Sequence, residues 1–334
     1  MQQDKKIEIG FLIFPGFPMA CLTSMIEPLR AANEIVGYPA FGWSLISEHG
    51  AKVRASAGVV FEADAPLADL DTLDQLFVLS SPSTPFDSPN ASEGKLRKAA
   101  RHGMTLGAIS GGVFPLARAG LFTDHTPSVH WCYVAAFNAE FPEIPSTDEV
   151  LSIGARRVTA SGAAAAFDLS LHMIEEKLGA DVATEVACWF QHPLVRGQGV
   201  TQRVPTVNRA NTDDMLPPIV REAVAMFASH ICDPVNVADV AEAVGVSVRQ
   251  LERVFKKTTG KSPLHHYRAM RMKAARQLVL YSKSSMSEIA LAVGYASATP
   301  MIQNYEDEFG AHPHKDREKI NLFRVRDNAA IPAA

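Results

Sequence analysis

The chain has 334 residues, 47% of them hydrophobic, and a formal net charge of −4 at pH 7. The length suggests two or three domains, and the apolar content excludes a mostly disordered protein. Four separated cysteines, a charged N-terminus and the lack of a run of ~20 apolar residues argue against zinc or disulfide frameworks, a signal peptide and a membrane span.

These exclusions set the first expectations. We expect a cytoplasmic protein in a reducing compartment, with no bound metal, no cofactor and no membrane contact.

The first 195 residues alternate strand-like and helix-like segments. Strands are predicted over 7–14, 41–47, 75–79 and 105–109, with a hairpin of 151–153 and 157–160. Helices are predicted over 24–36, 92–101, 113–119, 163–178 and 182–190. This alternation predicts an α/β domain over 1–195, with a doubly wound, mainly parallel, flavodoxin-like sheet.

A nucleophile elbow is indicated by AISGGVF at 108–114, where an apolar run meets Ser110 between small residues. Ser110 could be a nucleophile with His130 as its base, which would need an orienting acid such as Asp124 or Asp168. It could instead form the floor of a ligand pocket, or simply be a small residue at a tight turn. The residues alone leave all three interpretations open.

The remaining chain is predicted to form a polar linker over 196–217, an all-α domain over 218–320 and a tail over 321–334. Within the domain, DVAEAVG at 239–245 is repeated as EIALAVG at 288–294. Each copy reads as a helix, a short Gly-containing turn and a second helix, so we predict two helix-turn-helix units joined by a long helix over 263–281.

Charge differs between the two halves of the chain. Residues 1–219 hold 16 Lys and Arg against 24 Asp and Glu, whereas 220–334 hold 16 against 12. Residues 245–283 carry ten basic side chains and one acid, which favours phosphate contacts with double-stranded DNA. The predicted DNA-contacting residues are Arg249, Gln250, Glu252, Arg253, Lys256 and Lys257 in the first unit and Thr299 and Gln303 in the second.

The second unit has a different charge. Residues 284–314 contain no Lys or Arg but four acids, so we expect the first unit to supply most of the DNA affinity.

The back half resembles the AraC/XylS family of transcription regulators over residues 219–318. The resemblance is carried by ADVAEAVGVSVRQLERVFKKTTG, SEIALAVGYAS and FGAHPHKDR. It implies that helices over 247–259 and 299–309 enter successive faces of the major groove. The family commonly has basic residues where Gln303, Glu306 and Asp307 stand here. RNA polymerase is an expected partner.

The front half resembles the class I glutamine amidotransferase-like superfamily of the ThiJ/PfpI type over about 7–190. The motifs are IGFLIFPGF, SMIEPLRAAN, AISGGVFPLARAGLFTDHTPSVHW and VTASGAAAAFDLSLHMI. In the enzymes of that superfamily the elbow residue is Cys, a His follows, and an acid comes from the first loop. Here Ser110 replaces the Cys, His130 matches the His, and the first loop over 15–23 is uncharged, so we expect no catalytic residue.

Without a catalytic residue, the expected role of this pocket is to bind a small-molecule effector. The expected ligand contacts are Phe14, Gly16, Phe17, Ser110, Gly111, Gly112, His130 and Trp131. The EPLRAAN motif is reminiscent of regulators of amino-acid and quaternary-amine catabolism, which implies an effector with a carboxylate and a cationic head. Helix N–H groups would bind the carboxylate, and aromatic faces the cation.

The sequence therefore predicts a ligand-responsive transcription regulator, an activator that dimerises through its front domain. The alternatives are a serine-type hydrolase or amidase that uses Ser110 and His130, and a structural DNA-binding protein with an inactive front domain.

Overall fold

A computed structural model of the chain describes residues 5–68, 70–192, 195–202 and 216–323. The chain divides into two compact units, one through Gln202 and one that ends at Ile320. Most of the predicted linker, 203–215, and most of the predicted tail, 324–334, lie outside the described residues. None of the described helices is long and apolar enough to cross a membrane.

The front unit is built on two sheets. Its strands are β1 (Ile7–Ile13), β2 (Phe41–Ser47), β3 (Val53–Arg54), β4 (Val60–Phe61), β5 (Ala65–Pro66), β6 (Gln75–Ser80), β7 (Thr105–Ser110), β8 (Leu151–Ile153) and β9 (Arg157–Ala160). The main sheet has the order β5-β2-β1-β6-β7-β9-β8 and the small one pairs β3 with β4. In the main sheet all neighbours are parallel except β8 and β9, so the predicted fold class is confirmed.

Helices cover this sheet. They are α1 (Met19–Val36), α2 (Pro89–Arg101), α3 (Val113–Arg118), α4 (Val134–Glu140), α5 (Ala163–Leu178) and α6 (Ala180–Trp189). The prediction missed α4 and began α1 five residues late, at 24. The helix starts at Met19 because Cys21 and Leu22 already bury their side chains in the core.

The back unit is all helical, as predicted. Its helices are α7 (Pro218–Ser229), α8 (Val237–Ala243), α9 (Val248–Thr259), α10 (Pro263–Tyr281), α11 (Met286–Ala292), α12 (Ala298–Phe309) and α13 (Pro313–Phe323). The pairs α8–α9 and α11–α12 are the two repeat copies. Gly245 (φ 72°) and Gly294 (φ 75°) turn the chain at matching positions.

Each copy has its own core. In the first, Phe227 stacks on Tyr267 with ring centroids 4.4 Å apart, and Phe255 is fully buried. In the second, Met301 and Tyr305 are fully buried. The long helix α10 contributes to both cores, which ties the two units together.

One buried imidazole lies in this unit. His266 on α10 is buried, and its ring meets Phe255 edge-on at 5.1 Å. Burial, together with the charges of Lys273 and Lys261, lowers the pKa of His266 to about 4. Between about pH 4 and pH 6.5, the His266 ring is therefore neutral in the folded chain and protonated in the unfolded chain.

We expect acid to destabilise the back unit through His266. Between about pH 6.5 and pH 4 the unfolded chain binds this proton and the folded chain does not, so the free energy of unfolding falls as pH falls. The loss is up to about 3 kcal/mol across this window. This pH dependence is measured by urea unfolding of the full chain at several pH values, with hydrogen exchange of α10 peptides as the readout.

The variant His266→Leu should have a flatter dependence over the same window. Its neighbour His265 is exposed and its charge is the smallest cause of the lowered His266 pKa, so His265→Leu should change the pH dependence much less than His266→Leu does. Parallel curves for the wild type and His266→Leu would contradict the assignment.

Candidate effector site and nucleic-acid interface

The turn after β7 has the geometry of a nucleophile elbow. Ser110, the last residue of β7, has φ 54°, in the left-handed region that non-glycine residues avoid. A Cβ atom at Gly111 would lie 2.3 Å from the carbonyl oxygen of Ser80, and one at Gly112 1.9 Å from that of Val78. Both positions therefore require glycine, and the turn packs directly against β6.

Parallel register brings this elbow to the carboxyl edge of the sheet. Ser110 is the register partner of Ser80, the last residue of β6. On the first loop, Phe14 follows β1 and donates its N–H to the carbonyl of Leu79 at 3.1 Å. This edge is where open α/β sheets bind ligands. The predicted contacts at Phe14 and Ser110 thus lie at the carboxyl ends of β1 and β7, on either side of β6.

Some predicted ligand contacts are engaged within the protein. Phe17 is fully buried and meets Phe61 edge-on at 5.3 Å. Phe14 is also buried, with its ring 4.7 Å from that of Phe86. Both rings therefore pack in the core, and little of either faces outward. As ligand contacts they stay predictions.

Two backbone N–H groups near the elbow also donate hydrogen bonds to carbonyls within the protein. Gly112 donates to the carbonyl of Ile109 at 3.0 Å, and Gly16 donates to that of Arg54 at 2.9 Å. The expectation that the N–H groups after Ser110 are free for an anion is therefore wrong for Gly112, because the tight turn uses that group itself.

His130 lies in a turn before α4. It is half-buried, and its Nδ1 is 2.9 Å from Sγ of Cys132. Its ring centroid is 5.5 Å from that of Trp131 and 5.4 Å from that of Tyr133. The ring carbon Cδ2 would be 3.3 Å from a Cβ placed on Gly162, which follows β9. This places His130 beside the strand that neighbours β7.

Neither acid considered for orienting His130 contacts it in the described residues. Asp168 is fully buried on α5, where it pairs with Nε2 of His192 at 2.9 Å and accepts from Nε of Arg196 at 2.8 Å. Asp124 is exposed, and its carboxylate accepts from Thr123 Oγ1 at 3.4 Å. The two acids that the hydrolase alternative named are therefore engaged elsewhere or remote from His130 in the described residues.

Sequence reasoning missed Gln202. Its Oε1 accepts the N–H of Trp131 at 2.9 Å, and its Nε2 donates to the carbonyls of Val129 at 2.8 Å and Glu149 at 3.2 Å. These bonds hold the backbone on both sides of His130. We call this arrangement the Gln202 clamp. A lone Gln in a polar stretch carries no sequence signal for it.

The start of the predicted linker is docked on the front unit. Thr201 bridges to Glu149, and Val150 donates its N–H to the carbonyl of Val200 at 2.7 Å. The buried Asp168 anchors Arg196 at the other end of this segment. Residues 196–202, predicted as the start of a polar linker, therefore pack on the front unit, which the sequence did not indicate because backbone pairing needs no apolar pattern.

The EPLRAAN motif has a packing role. Asn33 donates from Nδ2 to the carbonyl of Phe41 at 2.8 Å, and its Oδ1 accepts the Phe41 N–H at 2.9 Å. Arg30 pairs with Glu27 and Glu34 on the surface. The motif joins α1 to β2, and these contacts do not involve the elbow.

One group of described residues has ligand atoms close enough for a metal ion, namely Glu48, His49 and Asp87. The Glu48 carboxylate already accepts from the N–H groups of Asp87 and Ser88 and from Ser92 Oγ. It therefore holds the start of α2, and His49 and Asp87 are exposed. We assign no metal site to it.

The predicted recognition helix α9 presents one polar and one apolar face. Leu251, Phe255 and Thr259 are buried against the unit. Ser247 accepts the N–H of Gln250 at 3.3 Å and caps the helix. The six residues predicted to contact DNA from this helix are all exposed, namely Arg249, Gln250, Glu252, Arg253, Lys256 and Lys257.

Some basic residues of α10 make hydrogen bonds and ion pairs within the back unit. Arg271 donates to the carbonyls of Val293 and Gly294 at 2.8 and 2.6 Å, which satisfies the free end of α11, and lies 4.2 Å from the Tyr295 ring centroid. Arg276 pairs with Asp316 at 3.0 Å. The charge count over 245–283 therefore overstates the basic surface.

The second unit presents an uncharged and acidic face. Thr299, Gln303 and Asp307 are exposed one turn apart on α12, and Gln303 donates to Asp307 at 3.5 Å. Glu308 pairs with Lys261 at 3.8 Å. Ser297 makes no side-chain cap here, unlike Ser247 in the first copy.

The buried hydroxyl of Tyr305 donates to Asp316 at 2.9 Å. Burial, and then that carboxylate, raise the pKa of Tyr305. This bond fixes α12 against α13.

Comparison with known proteins adds relatives over the full chain. A family model described as a helix-turn-helix domain matches residues 240–319. The chain is 32% identical over 310 residues to the HTH-type transcriptional regulator GbdR of Pseudomonas aeruginosa, covering 93% of this chain and 84% of GbdR. It is 30% identical over 312 residues to the HTH-type transcriptional regulator GlxA of Rhizobium meliloti, covering 93% and 95%.

Among solved structures, an AraC family transcriptional regulator from Pseudomonas putida aligns with 55% of this chain and 99% of its own. The TM-score is 0.51 and the identity 26%.

Proposed function

The chain belongs to the HTH-type transcriptional regulators of the AraC family, and from that premise we propose that it is an activator of a catabolic operon that responds to a small-molecule effector. The exposed cationic face of α9 is the observation that carries the DNA-binding part. The front unit, with the sheet expected from its ThiJ/PfpI resemblance, is the proposed sensor and dimerisation domain. Such a regulator meets DNA and RNA polymerase in the cytoplasm.

The two helix-turn-helix units have unequal roles in this proposal. Arg249 and Arg253 lie one turn apart on α9, where guanidinium groups can read guanine and Lys256 and Lys257 can neutralise phosphates. On α12 the acids would repel phosphates, so Thr299 and Gln303 make weaker contacts. The first unit therefore supplies most of the affinity.

The effector site is proposed at the edge of the sheet beside Ser110, His130 and Trp131. His130 and Trp131 are both half-buried, so they can contact a ligand without unfolding the loop. The proposed effector is an amino acid or a quaternary amine with a carboxylate, whose cationic head would face the Trp131 ring. Binding would favour the DNA-competent arrangement if the effector binds that arrangement more tightly.

The rival function is a serine hydrolase, and two observations disfavour it. Nδ1 of His130 faces Cys132, and the buried Asp168 is committed to His192 and Arg196. Asp168 is therefore not the acid that orients His130, and the nitrogen that such an acid would hold lies against a thiol. A serine hydroxyl without an oriented base is a weak nucleophile.

We expect calorimetric titration with glycine betaine and a panel of α-amino acids to give heat for at least one ligand. Trp131→Ala should weaken that binding about tenfold, because a cation–π contact contributes on the order of 1 kcal/mol. Trp189→Ala is a matched control, since Trp189 is exposed on α6. A lack of heat across the panel, or Ser110-dependent turnover of ester or amide substrates, would contradict the sensor.

The unequal units can be tested on DNA selected by the wild type from a random library. We expect Arg253→Ala to lose about tenfold in affinity and to relax the preference for the base pair that Arg253 reads. Gln303→Ala should lose less than about threefold, because it removes one neutral hydrogen bond. Arg97→Ala on α2 controls for a change in net charge alone. Equal losses at Arg253 and Gln303 would refute the asymmetry.

The Gln202 clamp is the proposed link between the effector site and the segment that leads to the DNA-binding unit. Gln202→Leu keeps the side-chain size but removes the bonds to Val129 and Trp131. We expect hydrogen exchange over 128–133 to rise about tenfold, and the effect of bound effector on DNA affinity to shrink.

Gln198→Leu is the matched control, because Gln198 lies in the same segment and donates to Ile153 instead, at 3.3 Å. Equal exchange in both variants would show that the clamp does not hold the turn.

A further inference from the structure

One thiol of the front unit lies against an imidazole. Sγ of Cys132 is 2.9 Å from Nδ1 of His130, and both side chains are half-buried. The backbone N–H of Cys132 also points at this Nδ1, at 3.3 Å. A ring nitrogen that accepts a backbone N–H carries no proton, so the thiol is the donor in the sulfur contact. His130 therefore faces Cys132 as a base.

The other cysteines have different surroundings. Burial raises the pKa of the Cys21 thiol to about 12, which keeps it unreactive. Cys188 and Cys232 are both exposed. Among the cysteines of the described ranges, the hydrogen bond to an imidazole is made by Cys132. The exposed cysteines are therefore not the cysteine that contacts an imidazole. An experiment can thus distinguish the effect of exposure from the effect of the imidazole.

The turn that holds the pair is fixed from both sides. Gln202 accepts the N–H of Trp131, and Tyr133 donates its N–H to the His130 carbonyl at 2.7 Å. The rings of Trp131 and Tyr133 flank the imidazole. The imidazole that faces the sulfur therefore lies beside two aromatic rings, in a turn held by hydrogen bonds. Aromatic ring surface suits a small uncharged molecule better than an ion.

We propose that Cys132 is a site of covalent addition for small uncharged electrophiles with an activated carbon–carbon double bond, with His130 as its base. Nδ1 of His130 takes the thiol proton while the sulfur lone pair forms a bond to the outer alkene carbon. The π electrons move towards the adjacent carbonyl to give an enolate. The imidazolium then returns the proton to the enolate carbon.

The net reaction adds S–H across the double bond. It has no leaving group and needs no oxidant, and His130 ends in its starting state. The addition is independent of the proposed function. Its consequence, an adduct beside the effector contacts His130 and Trp131, rests on that proposal and would make the pocket respond to a second, covalent input.

N-ethylmaleimide is the probe for this chemistry. The full chain is treated at pH 7, and adducts at each cysteine are followed by peptide mass spectrometry. We expect Cys132 to react at least about threefold faster than Cys188 and Cys232, although those two are more exposed. A Cys132 rate at or below that of the exposed cysteines would overturn the proposal without any variant.

The variant His130→Asn should slow Cys132 to or below the rate of Cys188, and its rate should level off at a higher pH than in the wild type. His125→Asn is the control, since His125 is a half-buried histidine that contacts Ser152 instead. An unchanged Cys132 rate in a folded His130→Asn chain would also overturn the proposal. A regulator that binds effector and DNA but reacts slowly at Cys132 would overturn this inference alone.

Discussion

The parallel register of β6, β7 and β9 is the constraint on which the front unit depends. Because neighbouring strands run the same way, the loops that follow them emerge at one edge. This brings Ser110 beside Ser80, and Gly162 follows β9, the strand paired with β7. Gly112 lies so close to the Val78 carbonyl that a side chain at this position would clash, and this restricts the backbone conformation of the elbow. Residues distant in sequence meet at this edge because the sheet, rather than any local motif, positions them.

In the back unit, the contacts of the arginines determine which positive charges remain exposed. The arginines of α9 are exposed, whereas two arginines of α10 make contacts within the unit: Arg271 satisfies carbonyls at the end of α11 and Arg276 pairs with Asp316. The turn at Gly294 also lies so close to Pro234 that a side chain there would clash. The second unit is thus held by cations that are no longer available to DNA, while its own exposed helix carries none.

Periodicity predicted the elements that bury an apolar face and missed interactions that have no period. The bounds of β2, α5 and α10 follow from apolar residues at regular spacing. By contrast, α4 follows a turn that Gln202 holds from 71 residues away, and the partners of Asp168 lie after α6. The packing of the aromatic residues expected in the pocket was not foreseen for a related reason. Composition shows that Phe17 is apolar but not which side of the loop packs against Phe61.

The Gln202 clamp has a strength suited to signalling. Its side chain makes three hydrogen bonds to backbone groups, each contributing about 0.5–1.5 kcal/mol. Their sum of about 1.5–4.5 kcal/mol overlaps the coupling free energies of about 1–3 kcal/mol typical of allosteric proteins. A contact much stronger than this would lock the segment against the front unit, and a much weaker one would not register events at His130. The clamp therefore sits in the range where a ligand of ordinary differential affinity can reverse the balance.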